Sequence, residues 1–230
     1  MKALIILLAS VLLCAWLEGV SPTHVPSTQN SRPRLLIAHC AEDGIDSAIP
    51  DPPLRATVAR IDDIELRAGY PHPDEDTGAT FWFVIRSRTI YSFRTKDLFA
   101  NEIWIAIDHG WKRIALTYSD GGAIGEFHVR VFQINGDVVT DISRMILPAV
   151  SDFKSRHYCK PRGNNISALK WINGDLLLMA EVYPTGDCGD DMGHIEAYRV
   201  SAPRGDIVER LTLAQLKRYP GVCLENDNGN

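Results

Sequence analysis

Apolar residues in this chain come in short runs with turn residues between them, and the pattern occurs twice. From Glu102 to Ser143 the runs are Ile103 to Asp108, Arg113 to Ser119, Phe127 to Ile134 and Val138 to Ile142. From Ile166 to Leu211 they are Ile166 to Ile172, Leu176 to Tyr183, His194 to Val200 and Ile207 to Leu211. Runs this short with partial alternation read as strands rather than helices. The joints also correspond. His109-Gly110-Trp111-Lys112 and Asn173-Gly174-Asp175 separate the first two strands of each copy, and Asn135-Gly136-Asp137 and Pro203-Arg204-Gly205-Asp206 separate the last two. Asn-Gly and its relatives take the positive φ angles of tight hairpins at little cost, so each copy is predicted to fold as a four-stranded antiparallel meander. The longest connection of each copy lies between its second and third strands, at Asp120, Gly121, Gly122 and Gly125 in one and from Gly186 to Gly193 in the other.

Upstream, Leu35, Leu36, Ile37 and Ala38 read as a short buried strand, and Pro50, Pro52 and Pro53 mark a loop. Thr57 to Leu66 alternates weakly, Gly69 to Gly78 is a loop, and Phe81 to Ile85 with Thr89 to Phe93 is a hairpin joined by Arg86, Ser87 and Arg88. Two amphipathic packing helices are predicted. Pro148 to Tyr158 places Ala149, Val150, Phe153 and His157 at helical spacing with Pro148 in the first turn, and Thr212 to Tyr219 opens on the capping pair Thr212 and Gln215. The fold class is therefore mainly β. Meanders of about forty to forty-five residues resemble blades of a β-propeller; the alternative is a two-sheet sandwich of the same meanders.

The chain opens with Met1 and Lys2, an uncharged apolar run from Ala3 to Leu17, and Glu18, Gly19, Val20 and Ser21. This is the pattern of a secretory signal peptide, with cleavage near Gly19 to Ser21, and the run is short for a membrane span. An uncleaved anchor is the rival reading, and Cys14 lacks the small preceding residue that lipoprotein processing would require. The expected organisation is a signal peptide over 1–21, a disordered linker rich in Ser, Pro and Thr over 22–34, one β-rich domain over 35–223 with repeats at 102–143 and 166–211, and a disordered tail over 224–230. Loss of Lys2 and Glu18 together leaves the formal charge of −5 unchanged. A mildly acidic chain without clustered Lys and Arg argues against nucleic acid and anionic membranes, and permits a basic protein partner. No membrane span is expected after cleavage.

Cys40, Cys159, Cys188 and Cys223 follow the leader, and an even number of cysteines in an exported chain points to disulfides. Three pairings are possible; Cys159 with Cys188, which would pin the long loop of the second meander to the end of the first helix, is favoured and leaves Cys40 and Cys223 either as a second pair or as two separate thiols. A ring of about thirty residues closed in this way stabilises by roughly 3 to 4 kcal/mol in the chain-entropy picture.

The densest polar cluster runs from Tyr183 through Asp187, Cys188, Asp190 and Asp191 to His194, with Glu196 beyond it. Asp187, Asp190, Asp191 and His194 are the candidate binding residues there. Calcium is the ion such a loop would suit, but the spacing fails the EF-hand pattern, so a solvated turn is the preferred reading and no metal or cofactor is expected. His128 and His194 stand at corresponding entrances to third strands, which fits a ligand pair or a repeated edge position. His157 faces the same loop as His194 if the bridge exists. Trp111, in a turn beside Gly110 and Lys112, is a candidate aromatic anchor for a partner, whereas the other aromatics read as core. No catalytic residue is expected. Ser119-Asp120-Gly121-Gly122 lacks the nucleophile-elbow pattern, His39-Cys40 reads as an oxidised cysteine, and Gly121 to Gly125 has no following Lys and Ser or Thr. Asn165-Ile166-Ser167 matches a glycosylation acceptor, relevant only in a eukaryotic host.

Arg156-His157-Tyr158-Cys159-Lys160, followed by Tyr183-Pro184-Thr185-Gly186-Asp187-Cys188-Gly189 and flanked by meanders, resembles a set of exported proteins of Gram-negative bacteria that carry no known activity. That resemblance covers the C-terminal half and implies a periplasmic location and the Cys159 to Cys188 bridge. The function expected is a periplasmic or secreted binding protein, one form of it an inhibitor or immunity protein against a basic toxin or lytic enzyme; the alternative is a metal-dependent hydrolase centred on Asp187 to Glu196.

Overall fold

Three meanders, not two, account for most of the structure. A computed structural model describes residues 35–36, 44–48, 55–69, 78–95, 102–119, 127–157, 164–182, 188–220, 222 and 225–226. In chain order the strands are β1 (Leu35–Leu36), β2 (Gly44–Ala48), β3 (Arg55–Ile61), β4 (Ile64–Gly69), β5 (Thr80–Ile85), β6 (Arg88–Arg94), β7 (Glu102–Asp108), β8 (Arg113–Ser119), β9 (Phe127–Asn135) and β10 (Val138–Asp141). Helix α1 (Leu147–Arg156) precedes β11 (Asn164–Ile172), β12 (Asp175–Val182), β13 (Ile195–Ser201) and β14 (Ile207–Thr212), and α2 (Leu213–Leu216) and β15 (Glu225–Asn226) close the chain.

The repeats expected at 102–143 and 166–211 form as β7–β10 and β11–β14, each an antiparallel meander in sequential order. The weakly alternating stretch upstream divides into β3 and β4 at the turn Asp62-Asp63 and joins the β5–β6 hairpin as a further meander. That hairpin turns on Arg86 and Ser87 alone, both at positive φ, rather than on three residues. Strand β2 adds a fifth strand to the β7–β10 sheet by pairing with β7, and Leu35–Leu36 pairs with Glu225–Asn226, so part of the stretch expected as a disordered tail is in a strand pair. No sheet closes on itself among the described residues.

The β7–β10 sheet carries apolar side chains on both faces. Ile103, Ile105, Leu116, Phe132 and Ile134 pack with Leu66, Phe81, Phe83 and Phe93 of the first meander. The small residues Ala106 and Ala115, with Val129 and Val131, face the third meander, α1 and the turn before it. Strand β12 is covered on both sides: Leu176, Leu178, Ala180 and Val182 join this second core, while Leu177 and Met179 join a third with Leu216 of α2. Period-two side chains placed between layers explain its near-continuous burial.

Helix α1 is fixed by the end of β10. Asp141 accepts hydrogen bonds from the Ser143 amide (2.9 Å) and hydroxyl (2.5 Å), and Ser143 Oγ accepts from the Val131 amide (2.9 Å). The helix then buries Ala149 and Phe153 and ends at Arg156, with His157 as its cap. The capping pair at α2 forms as the sequence suggests: the Gln215 amide donates to Thr212 Oγ1 at 3.3 Å and the Thr212 amide to Gln215 Oε1 at 2.8 Å. Among the described residues no helix is long and apolar enough to cross a membrane.

Candidate functional site

Where the end of α1 meets β13 and β14, a set of polar side chains converges. On β13, Glu196 and Tyr198 alternate onto the face that α1 covers, with His194 just before the strand. On α1, Asp152 and Arg156 are one turn apart and point the same way. Arg156 clamps Glu196, with Nη1 to Oε1 at 2.7 Å and Nη2 to Oε2 at 2.5 Å, and also donates to Asp152 Oδ2 at 2.9 Å. Tyr198 donates towards Glu196 Oε2 (3.0 Å) and Asp152 Oδ2 (3.1 Å), and Arg210 from β14 pairs with Asp152.

Two imidazoles sit at the rim. His157 and His194 stack with ring centres 3.9 Å apart, and Phe153 lies beneath them. His157 Nε2 is 3.2 Å and His194 Nε2 is 3.4 Å from Glu196 Oε1. His157 Nδ1 is buried and makes no hydrogen bond; Asp191 Oδ1 stands 3.5 Å from it.

The electrostatics follow from these contacts. The Arg156 hydrogen bonds, working against burial, hold the Glu196 carboxyl down at about 2. Burial and the adjacent Glu196 carboxylate push the Tyr198 phenol far up. Burial pulls Asp152 upward, but its hydrogen bonds from Arg156 and Tyr198 outweigh this and hold it below the usual carboxylate range.

Of the residues singled out in the sequence, Asp191 and His194 come to this cluster, Asp190 is exposed beside it, and Asp187 lies outside the described residues. Cys188 is disulfide-bonded and packs against the second core; Cys40, Cys159 and Cys223 lie outside the described residues. Among the described residues, the group close enough to share one ion consists of His157, His194 and Glu196, so nitrogen donors replace the aspartate cage that calcium would need. His128 is elsewhere, its ring 5.6 Å from that of Tyr118. Trp111 is 60% exposed, yet its indole edge borders Gly174, where an added Cβ would meet Nε1 at 3.0 Å. Beneath it Arg113 lies over the rings of Trp111 and Trp171 and donates to the Gly174 carbonyl at 2.8 Å, so this tryptophan helps join two meanders.

Asp152 and Arg210 belong to no motif read from the sequence, Arg156 enters there only within the resemblance segment, and Tyr198 only among the core aromatics. The signal was available: His194, Glu196 and Tyr198 at period two share a strand face, and Asp152 and Arg156 at i,i+4 share a helix face. A second concavity, about 640 Å³, lies among the hairpin tips of the first two meanders over Ile61, Ile64, Ile85 and Ile134. Rim charges there are paired across the sheets, Lys112 with Asp62 (2.7 Å) and Arg88 with Asp137 (3.0 Å). No family model, curated protein or solved structure matches this chain.

Proposed function

We propose that this is an exported binding protein whose ligand meets it at the His157, His194 and Glu196 cluster, on a scaffold of propeller-like stacked meanders. One observation carries the reading: Glu196 and Asp152 are each held by an arginine, while two imidazoles present nitrogen donors at the edge of the site. A carboxyl held at about 2 by Arg156 is a feeble base at neutral pH, and a phenol pushed far up is a feeble acid, which suits recognition better than proton transfer. The leader-like pattern of residues 1–21 supports export, and a bridge from Cys188 to Cys159 would hold the loop bearing Asp190 and Asp191 against the end of α1. The acidic balance of the chain, −5 overall, favours a basic protein partner of the inhibitor or immunity kind.

Immobilised mature protein, compared with a His157→Ala/His194→Ala variant, tests this against an envelope extract and against purified basic lytic enzymes. A species held by the wild-type chain and released by the double variant is the expected result. Equal retention by both would contradict the reading.

The two-imidazole, one-carboxylate set also favours a second reading, a metal-dependent hydrolase, because three such ligands plus water make a catalytic zinc site. Turnover of ester, peptide or phosphodiester substrates that needs added metal would install this reading in place of the first.

A further inference from the structure

We infer that His157, His194 and Glu196 bind one divalent transition-metal ion of the zinc class, an inference that rests on taking this cluster as the ligand-facing site. Distances carry it. Nε2 of His157 and Nε2 of His194 lie 3.2 and 3.4 Å from Glu196 Oε1, and the three residues can each offer a donor atom within 4.8 Å of the other two. Donors bonded to zinc at about 2.0–2.1 Å in a tetrahedron stand about 3.3–3.4 Å apart. Two of the three edges therefore already have the right length. Binding requires the stacked imidazoles to splay so that their lone pairs converge, and His194, the most exposed of the three at 39%, is the side chain free to turn.

The donor atoms select the ion. Imidazole nitrogen suits zinc, nickel and copper, whereas calcium and magnesium take oxygen. Outer contacts of the kind that orient metal ligands are also in place. Glu196 Oε2 accepts from Arg156 Nη2 (2.5 Å) and Tyr198 OH (3.0 Å), which leaves Oε1 to face the imidazoles. On the far side of His157, the buried Nδ1 has no hydrogen bond, and Asp191 Oδ1 stands 3.5 Å away, near enough to become the carboxylate partner that fixes a ligating tautomer once the ring settles on an ion. His194 is set by its backbone, its amide donating to the Asp191 carbonyl and its carbonyl accepting from the Val182 amide, both at 2.9 Å. Arg156 Nη1 also donates to Oε1 at 2.7 Å, so an incoming ion displaces that hydrogen bond while the Nη2 contact persists. With three protein ligands, the fourth tetrahedral position falls to water or to a donor from the partner.

Titration calorimetry of the untagged mature chain with zinc chloride alone provides the test. One equivalent of zinc should bind, and calcium should give no heat. His194→Ala and Glu196→Gln should each weaken zinc by about 100-fold or more, and Asp191→Asn by about tenfold. A cobalt-loaded sample should show the visible bands of tetrahedral nitrogen and oxygen coordination. His194→Ala changes a half-exposed side chain, so it reports on binding even if Glu196→Gln disturbs folding. Absence of stoichiometric zinc binding, or zinc binding indifferent to His194→Ala, overturns the inference. If zinc is absent but partner retention still depends on the two histidines, the metal inference fails alone; if zinc binds as expected and retention ignores them, only the reading of function fails.

Discussion

Glu196 shows how much one side chain's meaning depends on its neighbours. Both its oxygens are engaged by Arg156, and Tyr198 adds a contact to one of them, so the carboxylate is rigid as well as ionised. A fixed charge of this kind positions the two imidazoles beside it and has little basicity left to offer. Asp141 has a comparable role in the frame, because its bonds to Ser143 set the angle at which α1 leaves β10. Burial raises its carboxyl, but the Ser143 hydroxyl and amide, with Arg130, more than offset this and hold it below its ordinary value. A folded-state value below the unfolded one stabilises above the unfolded value and is lost as pH falls through the folded one. Urea unfolding of wild-type and Asp141→Asn proteins should therefore show a gap at pH 7 that closes below about pH 4. A gap that stays constant to low pH would contradict this account of Asp141. The local partners, Tyr198 to Glu196 and Ser143 to Asp141, are two residues apart in the sequence, whereas Arg156 to Glu196 and Asp152 to Arg210 join residues that only the fold brings together.

Hairpin turns decide which elements the sequence disclosed. Asn173-Gly174 and Gly136 take positive φ with residues suited to it, and the repeats containing them were readable from spacing alone. The first meander turns instead on Asp62 and on Arg86-Ser87, left-handed positions filled by residues with a Cβ, so its first hairpin was hidden. What holds those turns in place is packing between sheets. Phe132 of β9 is fully buried, with its ring centre 5.0 Å from that of Phe83 and 5.1 Å from that of Phe93 in the first meander. Phe132→Ala should cost about 3–5 kcal/mol in chemical denaturation. A loss below about 1 kcal/mol would mean that the two sheets are not joined through this aromatic cluster.

Across the molecule, the β7–β10 sheet has apolar side chains on both faces and so organises its neighbours. Its second face packs β11, β12 and α1 into a common core, and that core brings the end of α1 to the start of β13. His157 and His194 are neighbours for this reason, although no local pattern joins them in the sequence. The polar cluster at the end of α1 is thus a product of this packing. The most direct measurement is an anomalous difference map at the zinc edge from crystals of the untagged protein grown with zinc. One strong peak bounded by His157 Nε2, His194 Nε2 and Glu196 Oε1 is expected; a map with no peak there, or with zinc only at other residues, would contradict the assignment of this cluster as a metal site.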